Sequence, residues 1–478
     1  MNIKTLIKIF IVFIFIISPF VVLASFDLSI QNEYGEVYYA ELSKMYDRLK
    51  KTDGKKIVII GNSNVSFGVE SRLFEELITD FNSSYAVVNF GLYGSIGTKT
   101  MLDLAKNYIK KDDIVILIPE EYNQSMSLYF SAQEMWYALD SNRSMFNDLD
   151  STSKEALIGN YINYVSTKYE HHKNKKPTLG VYAASSFDER CDLVNYKRDY
   201  NIMYNDYDEN YLINLNEIVI DDSFIGYVNN YNNDIISRGA KMYYSFSPMN
   251  KKAITNTQDE TNAFYNKLRI KLNFPIISDI NTYIMDSEWF YDSNYHMNTS
   301  GMKLRTSLLV SDLKNELGIT TKTEFVMIDK PVKPTDSIEG AGDNSCKDYF
   351  TYERVGNYYK ITGLTEEGQT KEELIIPYQV DGIYVSEFSK DTFYYNANIK
   401  KITIQTNIKR IYDNSFYGCE KLSGVYLMHE DPSMISVGFN LLVGTYANIY
   451  VSSDAIGGFI NDYFWSAYQE RINSYEKN

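Results

Sequence analysis

The sequence predicts an α/β chain: a doubly wound parallel sheet followed by a small repeat solenoid. Three observations lead there. Short β-branched runs alternate with amphipathic segments from Lys55 to about Gly318. A stretch rich in proline and glycine then interrupts the pattern. Beyond it, apolar positions recur at an interval of 23 residues. With 478 residues the chain has ample material for two or three domains.

The amino terminus comes first. Lys4 and Lys8 precede an apolar run from Ile9, and Val22-Leu23-Ala24 leads into polar sequence. A charged start, an apolar centre and a small-residue exit read as a secretory signal. The run is about 16 residues, broken by Pro19, and a span needs about 20. Residues 1–24 are therefore expected to be a signal peptide cleaved after Ala24, or else a retained membrane anchor. Either way the remainder is expected to be secreted or held at the cell surface.

The alternating region, expected over 25–320, opens with "KIVIIG", a run ending at Gly61. "AVVNFG" and "DDIVILIPE" follow, and uninterrupted runs of this kind suit strands buried on both faces of a parallel sheet. Between them, "VESRLFEELITDF" carries Leu73, Leu77 and Ile78, and "TKTMLDLAKNYIKK" carries Met101, Leu104, Ala105 and Tyr108, at helical spacing. Later come a strand in "GAKMYYSFSP", a helix in "ETNAFYNKLRIKL", a strand in "PIISD" and a helix in "TSGMKLRTSLLVSDLKNEL". Strand-helix alternation implies right-handed crossovers and a three-layer, flavodoxin-like arrangement. Sites in such sheets lie outside the carboxyl ends of the strands.

Between about 121 and 235 the alternation gives way to an insertion rich in Tyr, Asn and Asp. Tyr196, Tyr200, Tyr204, Tyr207 and Tyr211 stand at near-helical spacing, as a half-buried helix face or as an aromatic wall over a sugar site. Residues 321–345 read as a linker. From 346 to 478, Phe388, Phe393, Ile399, Ile402 and Ile404 recur as Ile411, Phe416, Leu422, Val425 and Leu427. A third pass is expected at Met434 and Phe439, then, after one inserted residue, at Ile449 and Val451. A period in the low twenties with a short strand per repeat is the pattern of a leucine-rich solenoid.

Composition narrows the function. Asp and Glu outnumber Lys and Arg by 62 to 47, giving a net charge of −15. That excess speaks against a nucleic-acid partner, which would need a basic face to replace phosphate counterions. Three cysteines, Cys191, Cys346 and Cys419, stand far apart, so neither a disulfide framework nor a zinc site is expected, although Cys346 and Cys419 could pair. Of four histidines, His171 and His172 sit in a basic polar stretch and His429 in the repeats. His296 opens the last helix of the alternating region, with Asp292 four residues before it. Ser63 stands just past Gly61, at the carboxyl edge of the first strand. A serine hydroxyl needs a base within hydrogen-bond reach, and the base an orienting carboxylate.

Gly61-Asn62-Ser63, "NFGLYGS", and Asp292 with His296 and Gly301 together resemble the SGNH (GDSL-type) hydrolase superfamily over roughly 55–318, in its exported O-acyl esterase and acyltransferase branch. The resemblance implies Ser63 as nucleophile, His296 as base, Asp292 as its orienting acid and Gly94 as an oxyanion donor. It departs in two places. Asp-x-x-x-His is one residue longer than the family's spacing, and "EEYNQ" replaces the third block, so that Asn123 is the candidate oxyanion asparagine, one residue late. The GxSxG elbow of the α/β-hydrolases is a different pattern and is not written here, since Val65 stands where its second glycine would be. Residues 346–478 resemble the BspA-type leucine-rich repeats of bacterial surface proteins, in which Cys419 falls at a packing position.

The resemblance implies an ester-acting serine enzyme without metal or organic cofactor. Its expected substrate is an acylated polysaccharide or another small ester. The repeats are expected to contact cell wall, matrix or host protein. The alternative is a catalytically inactive surface adhesion or binding protein.

Overall fold

Four apolar runs pair side by side because each is too apolar to leave either face in water. The computed structural model describes residues 3–475 other than 82, 174–177, 179, 196, 197, 204, 322, 324–327, 329, 332–341 and 463. The chain divides into two compact units, 1–177 with 182–331, and 178–181 with 332–478.

In the first unit, α1 (Ile3–Ser29) and α2 (Glu41–Lys51) precede β1 (Lys55–Gly61), α3 (Ser63–Gly68), α4 (Ser71–Leu77) and β2 (Tyr85–Gly91). Then come α5 (Thr98–Lys106), β3 (Ile114–Ile118), α6 (Ala132–Ser141), α7 (Ser151–Lys173), α8 (Asp222–Ser237) and β4 (Lys241–Tyr244). The pair β5 (Met249–Asn250) and β6 (Ile284–Met285) flanks α9 (Gln258–Lys271), and α10 (Thr299–Glu316) closes the unit. The main sheet is parallel throughout, in the order β2-β1-β3-β4.

Alternate side chains of a strand face opposite ways. Ile57, Ile59, Val87, Ile114 and Ile116 pack with Phe74 of α4 and Leu309, Val310 and Leu313 of α10. Val58, Ile60, Val88 and Leu117 face the other way and are as fully buried. Helices α2, α5 and α8 lie against β2, β1 and β4 and add nothing to the first cluster, so helices cover both faces. The strand expected in "PIISD" is reduced to one bridge, Tyr244 with Ile276. Pro275 has no N–H to give a ladder, which shortens the pairing there.

Helix α1 runs on past Ala24. Asp27, in its last turn, is buried between Lys168 Nζ at 2.9 Å and Arg143 Nη2 at 2.8 Å, with the Tyr161 hydroxyl at 2.9 Å. Among the described residues no helix is long and apolar enough to cross a membrane. Tyr196 and Tyr204 lie outside the described residues. Tyr200, Tyr207 and Tyr211 are in turns and bends, not on a helix, and Tyr211 is exposed. Asn and Asp neighbours explain the difference, since their side chains bond the backbone locally in competition with helix: Asp208 Oδ1 accepts the Asn210 N–H at 2.9 Å.

The second unit carries β7 (Phe350–Val355), β8 (Tyr358–Leu364), β9 (Glu373–Ile375), β10 (Gln379–Val380), β11 (Ile383–Phe388), β12 (Lys401–Ile404) and β13 (Arg410–Ile411). It continues with β14 (Gly424–Leu427), β15 (Ser436–Val437), β16 (Asn448–Ser452), α11 (Ile456–Asn461) and β17 (Ile472–Tyr475). One parallel sheet runs β17-β16-β14-β12-β9, and a second runs β15-β13-β11-β8-β7 with β7 antiparallel. The 23-residue interval is visible in the register, where Ile402 faces Val425 and Ile404 faces Leu427. In the third pass Ile449 faces Val425 and Val451 is buried, as expected, but the earlier positions differ. Val437 faces Ile411, and Ile435, Leu441 and Leu442 fill the core, while Met434 is half-buried and Phe439 is 81% exposed. Added residues before β15 shift the apolar positions along.

The three cysteines are free thiols. Phe416 is fully buried and stacks on Phe393 at 5.3 Å. Phe416→Ala is expected to cost this unit about 3–5 kcal/mol. Phe439→Ala is expected to stay within about 0.5 kcal/mol. Denaturant melts of the two variants check this, and equal losses would refute the assigned core. The expected linker, 321–345, lies mostly outside the described residues.

Candidate active site

The first strand ends at a glycine for a steric reason. A Cβ on Gly61 would lie 2.3 Å from the Ile118 carbonyl oxygen and 2.4 Å from Val65 Cγ2. Only a bare Cα lets β1, β3 and α3 meet this closely; φ at Gly61 is not positive. Asn62 follows in extended conformation, at the position before the short helix that Ser63 begins, and its side chain makes no bond to that helix's first turn. Its Oδ1 accepts from the Thr98 hydroxyl at 3.1 Å and from the Glu120 N–H at 3.3 Å. The ends of β1 and β3 are thereby tied together, and Ser63 sits at the sheet's carboxyl edge, 6% exposed.

His296 arrives from the far end of the unit. Phe290 and Met297 form an antiparallel bridge, and the Tyr291 N–H donates to the His296 carbonyl at 2.8 Å. This small hairpin absorbs the extra residue between Asp292 and His296. Asn298 then caps α10 by accepting the Gly301 N–H at 2.9 Å, and a Cβ on Gly301 would lie 2.1 Å from the Trp289 carbonyl oxygen. The imidazole stacks on Phe67 of α3, with centroids 3.9 Å apart and planes 8° from parallel. Its Nε2 is 2.8 Å from Ser63 Oγ and its Nδ1 is 2.8 Å from Asp292 Oδ1. The other Asp292 oxygen accepts the Tyr182 hydroxyl at 2.6 Å. Burial first, and then the Asp292 charge, push that hydroxyl well above its usual titration range, so it remains a donor.

Gly94 begins a short turn after β2, and a Cβ there would lie 2.6 Å from the Tyr122 hydroxyl and 3.3 Å from Glu120 Oε2. Asn123 is not at the site. It is exposed, and its Oδ1 accepts the Val219 N–H at 2.7 Å. The chain turns after Pro119 so that Glu120, not Asn123, meets the nucleophile. Glu120 Oε1 lies 2.8 Å from Ser63 Oγ and accepts the Asn64 N–H at 3.0 Å. Sequence reasoning misses Glu120, although a charge directly after an apolar strand is a signal that it occupies the carboxyl edge. Tyr182 leaves no comparable signal.

Behind Glu120, Glu121 bonds the Ser247 hydroxyl and the Ser247 N–H. Burial pushes its carboxyl up to about 8. The other histidines lie elsewhere: His171 and His172 each bond Glu33 at 2.9 Å, and His429 bonds the Ile408 carbonyl. Among the described residues no group of His, Cys, Asp and Glu is arranged to hold a metal ion. Chemically, the arrangement presents a hydroxyl in contact with an imidazole, a carboxylate behind the imidazole, and a second carboxyl on the hydroxyl itself.

No protein-family model matches the sequence, and no curated protein matches it. Among solved structures, matches include the crystal structure of the T. pallidum leucine-rich repeat protein TpLRR. That match is 15% identical, covers 24% of this chain and 73% of that one, and has a TM-score of 0.18. A score that low carries no weight for fold or function.

Proposed function

We propose that the first unit is a serine hydrolase of SGNH type, built on a doubly wound, flavodoxin-like sheet. It acts as an O-acyl esterase or acyltransferase on an acylated glycan, outside the cell. The second unit is a BspA-type leucine-rich solenoid that holds the enzyme to cell wall, matrix or host protein. The observation that carries this reading is the unbroken chain Ser63 Oγ, His296 Nε2, His296 Nδ1, Asp292, with each contact at 2.8 Å.

Ser63 Oγ attacks the acyl carbonyl while its proton passes to His296 Nε2. Asp292 holds the Nδ1–H and favours the imidazolium that forms. The amides of Ser63 and Gly94 stabilise the oxyanion. The imidazolium then returns its proton to the departing sugar oxygen, leaving an acyl-serine. Water or another sugar hydroxyl repeats the sequence in reverse, giving hydrolysis or transfer.

A fluorophosphonate probe tests the reading. The protein is expected to label at Ser63 and Ser63→Ala to stay unlabelled. A folded protein that resists labelling over the whole pH range would sink it. A second reading, an inactive surface-binding protein, draws on the Glu120 carboxyl standing where an oxyanion donor is expected.

A further inference from the structure

The reading of Ser63 as nucleophile leaves Glu120 without a part, although it touches the reacting oxygen. Ser63 Oγ has two partners, Glu120 Oε1 and His296 Nε2, both at 2.8 Å. A hydrogen is needed in each gap. The hydroxyl supplies one, so the second belongs to Glu120 or to His296. On His296 it makes an imidazolium, because the 2.8 Å contact between Nδ1 and the Asp292 carboxylate needs a hydrogen of its own, and an imidazolium cannot take the serine proton. On Glu120 it leaves Nε2 free to act as base. The two forms hold the same protons and interconvert by relay: Nε2–H passes to Oγ as Oγ–H passes to Oε1.

We infer that Glu120 is a catalytic residue of the proposed reaction, working as a neutral carboxylic acid that donates to the oxyanion. It replaces the asparagine that is missing from this edge. Its position supports the role. The carboxyl lies between Ser63 and Gly94, whose amides are the other two proposed donors; Oε1 accepts from Asn64 N–H at 3.0 Å and Oε2 borders Gly94. The backbone behind it is pinned by Asn62. A carboxylic acid held neutral in an enclosed site can serve as an oxyanion donor. When Ser63 Oγ attacks, its proton goes to Nε2 and the carbonyl π electrons go to oxygen. Glu120 keeps its proton and lends it as a hydrogen bond, so nothing is consumed.

The groups facing Glu120 are Tyr122, Tyr38, Glu121, Tyr295 and His296 with Asp292 behind it. Of these only His296 can be cationic. Loss of the shared proton leaves one hydrogen for two gaps, so the wild-type rate is expected to fall on the alkaline side. Glu120→Gln keeps a donor that does not titrate in this range. Its alkaline fall should disappear, with a rate within about tenfold of the wild-type maximum. Glu120→Ala should lose about 10²–10³-fold in kcat, the usual cost of one oxyanion donor.

The experiment is the pH profile of p-nitrophenyl acetate hydrolysis and of fluorophosphonate labelling for wild type, Glu120→Gln and Glu120→Ala, with melts to check folding. Glu120→Ala faster than wild type would make the carboxyl a plug and overturn the inference. So would an alkaline fall unchanged in Glu120→Gln. If none of the three labels at any pH, the hydrolase reading fails as well, and that outcome is distinct from a labelled wild type with unmoved profiles.

Discussion

Ser63→Ala is expected to abolish the release of p-nitrophenol from its acetate ester, and His296→Ala to fall to the same residual rate. Both losses should be about 10³-fold or more, because members of such a unit do not contribute separately. The hydroxyl and the imidazole are in direct contact, so removing either leaves the other with nothing to do. Asp292→Asn should fall less far. Tyr182 still bonds an oxygen at that position, and the ring still rests on Phe67. The amide can nevertheless turn its NH2 to Nδ1 and select the wrong tautomer. Equal rates for wild type and Ser63→Ala on this ester and on acetylated xylan would leave the binding-protein reading in possession.

The second large effect is on stability. Glu121 is 1% exposed, and burial raises its carboxyl from the ordinary 4.5 to about 8. The folded chain therefore keeps a proton that the unfolded chain releases above about 4.5. Its contribution is complete below the unfolded value and is lost as pH climbs through the folded one. Over that interval the loss is about 4–5 kcal/mol by linkage, at 1.36 kcal/mol per unit. Glu121→Gln keeps the shape and removes the titration. At pH 8.5 the glutamine variant should be the more stable by several kcal/mol, and at pH 4.5 the two should converge. Denaturant midpoints at pH 4.5, 6.5 and 8.5 decide it, and parallel curves would show that Glu121 ionises freely in the folded state.

Much of the sheet is legible in the sequence, because a buried parallel strand must be apolar at successive positions, as Ile57 to Ile60 and Ile114 to Ile118 are. The 23-residue recurrence is legible for the same reason: Ile402 and Val425 fill equivalent positions in one core. The placing of Ser63 follows from topology, since it stands directly after β1, whereas His296 follows β6, outside the main sheet, and is brought to that edge by the Phe290–Met297 hairpin ahead of α10. What stays hidden depends on single backbone turns. The turn after Pro119 decides whether Glu120 or Asn123 reaches Ser63, and no periodicity records it. The first half of the third repeat departs for a related reason, because a few added residues move Val437 into the place expected for Met434, while Ile449 and Val451 keep theirs. The tyrosine series has helical spacing, yet Asn and Asp between its members bond the backbone and stop the helix.

Ser63 and His296 are 233 residues apart in the chain. The pair exists only after β1, β3 and β4 have assembled and α10 has folded over the sheet, bringing its preceding hairpin with it. Closing so long a loop is entropically costly and comes late, once local elements are in place. A chain emerging from a ribosome thus carries Ser63 without its imidazole partner until some 300 residues have been delivered.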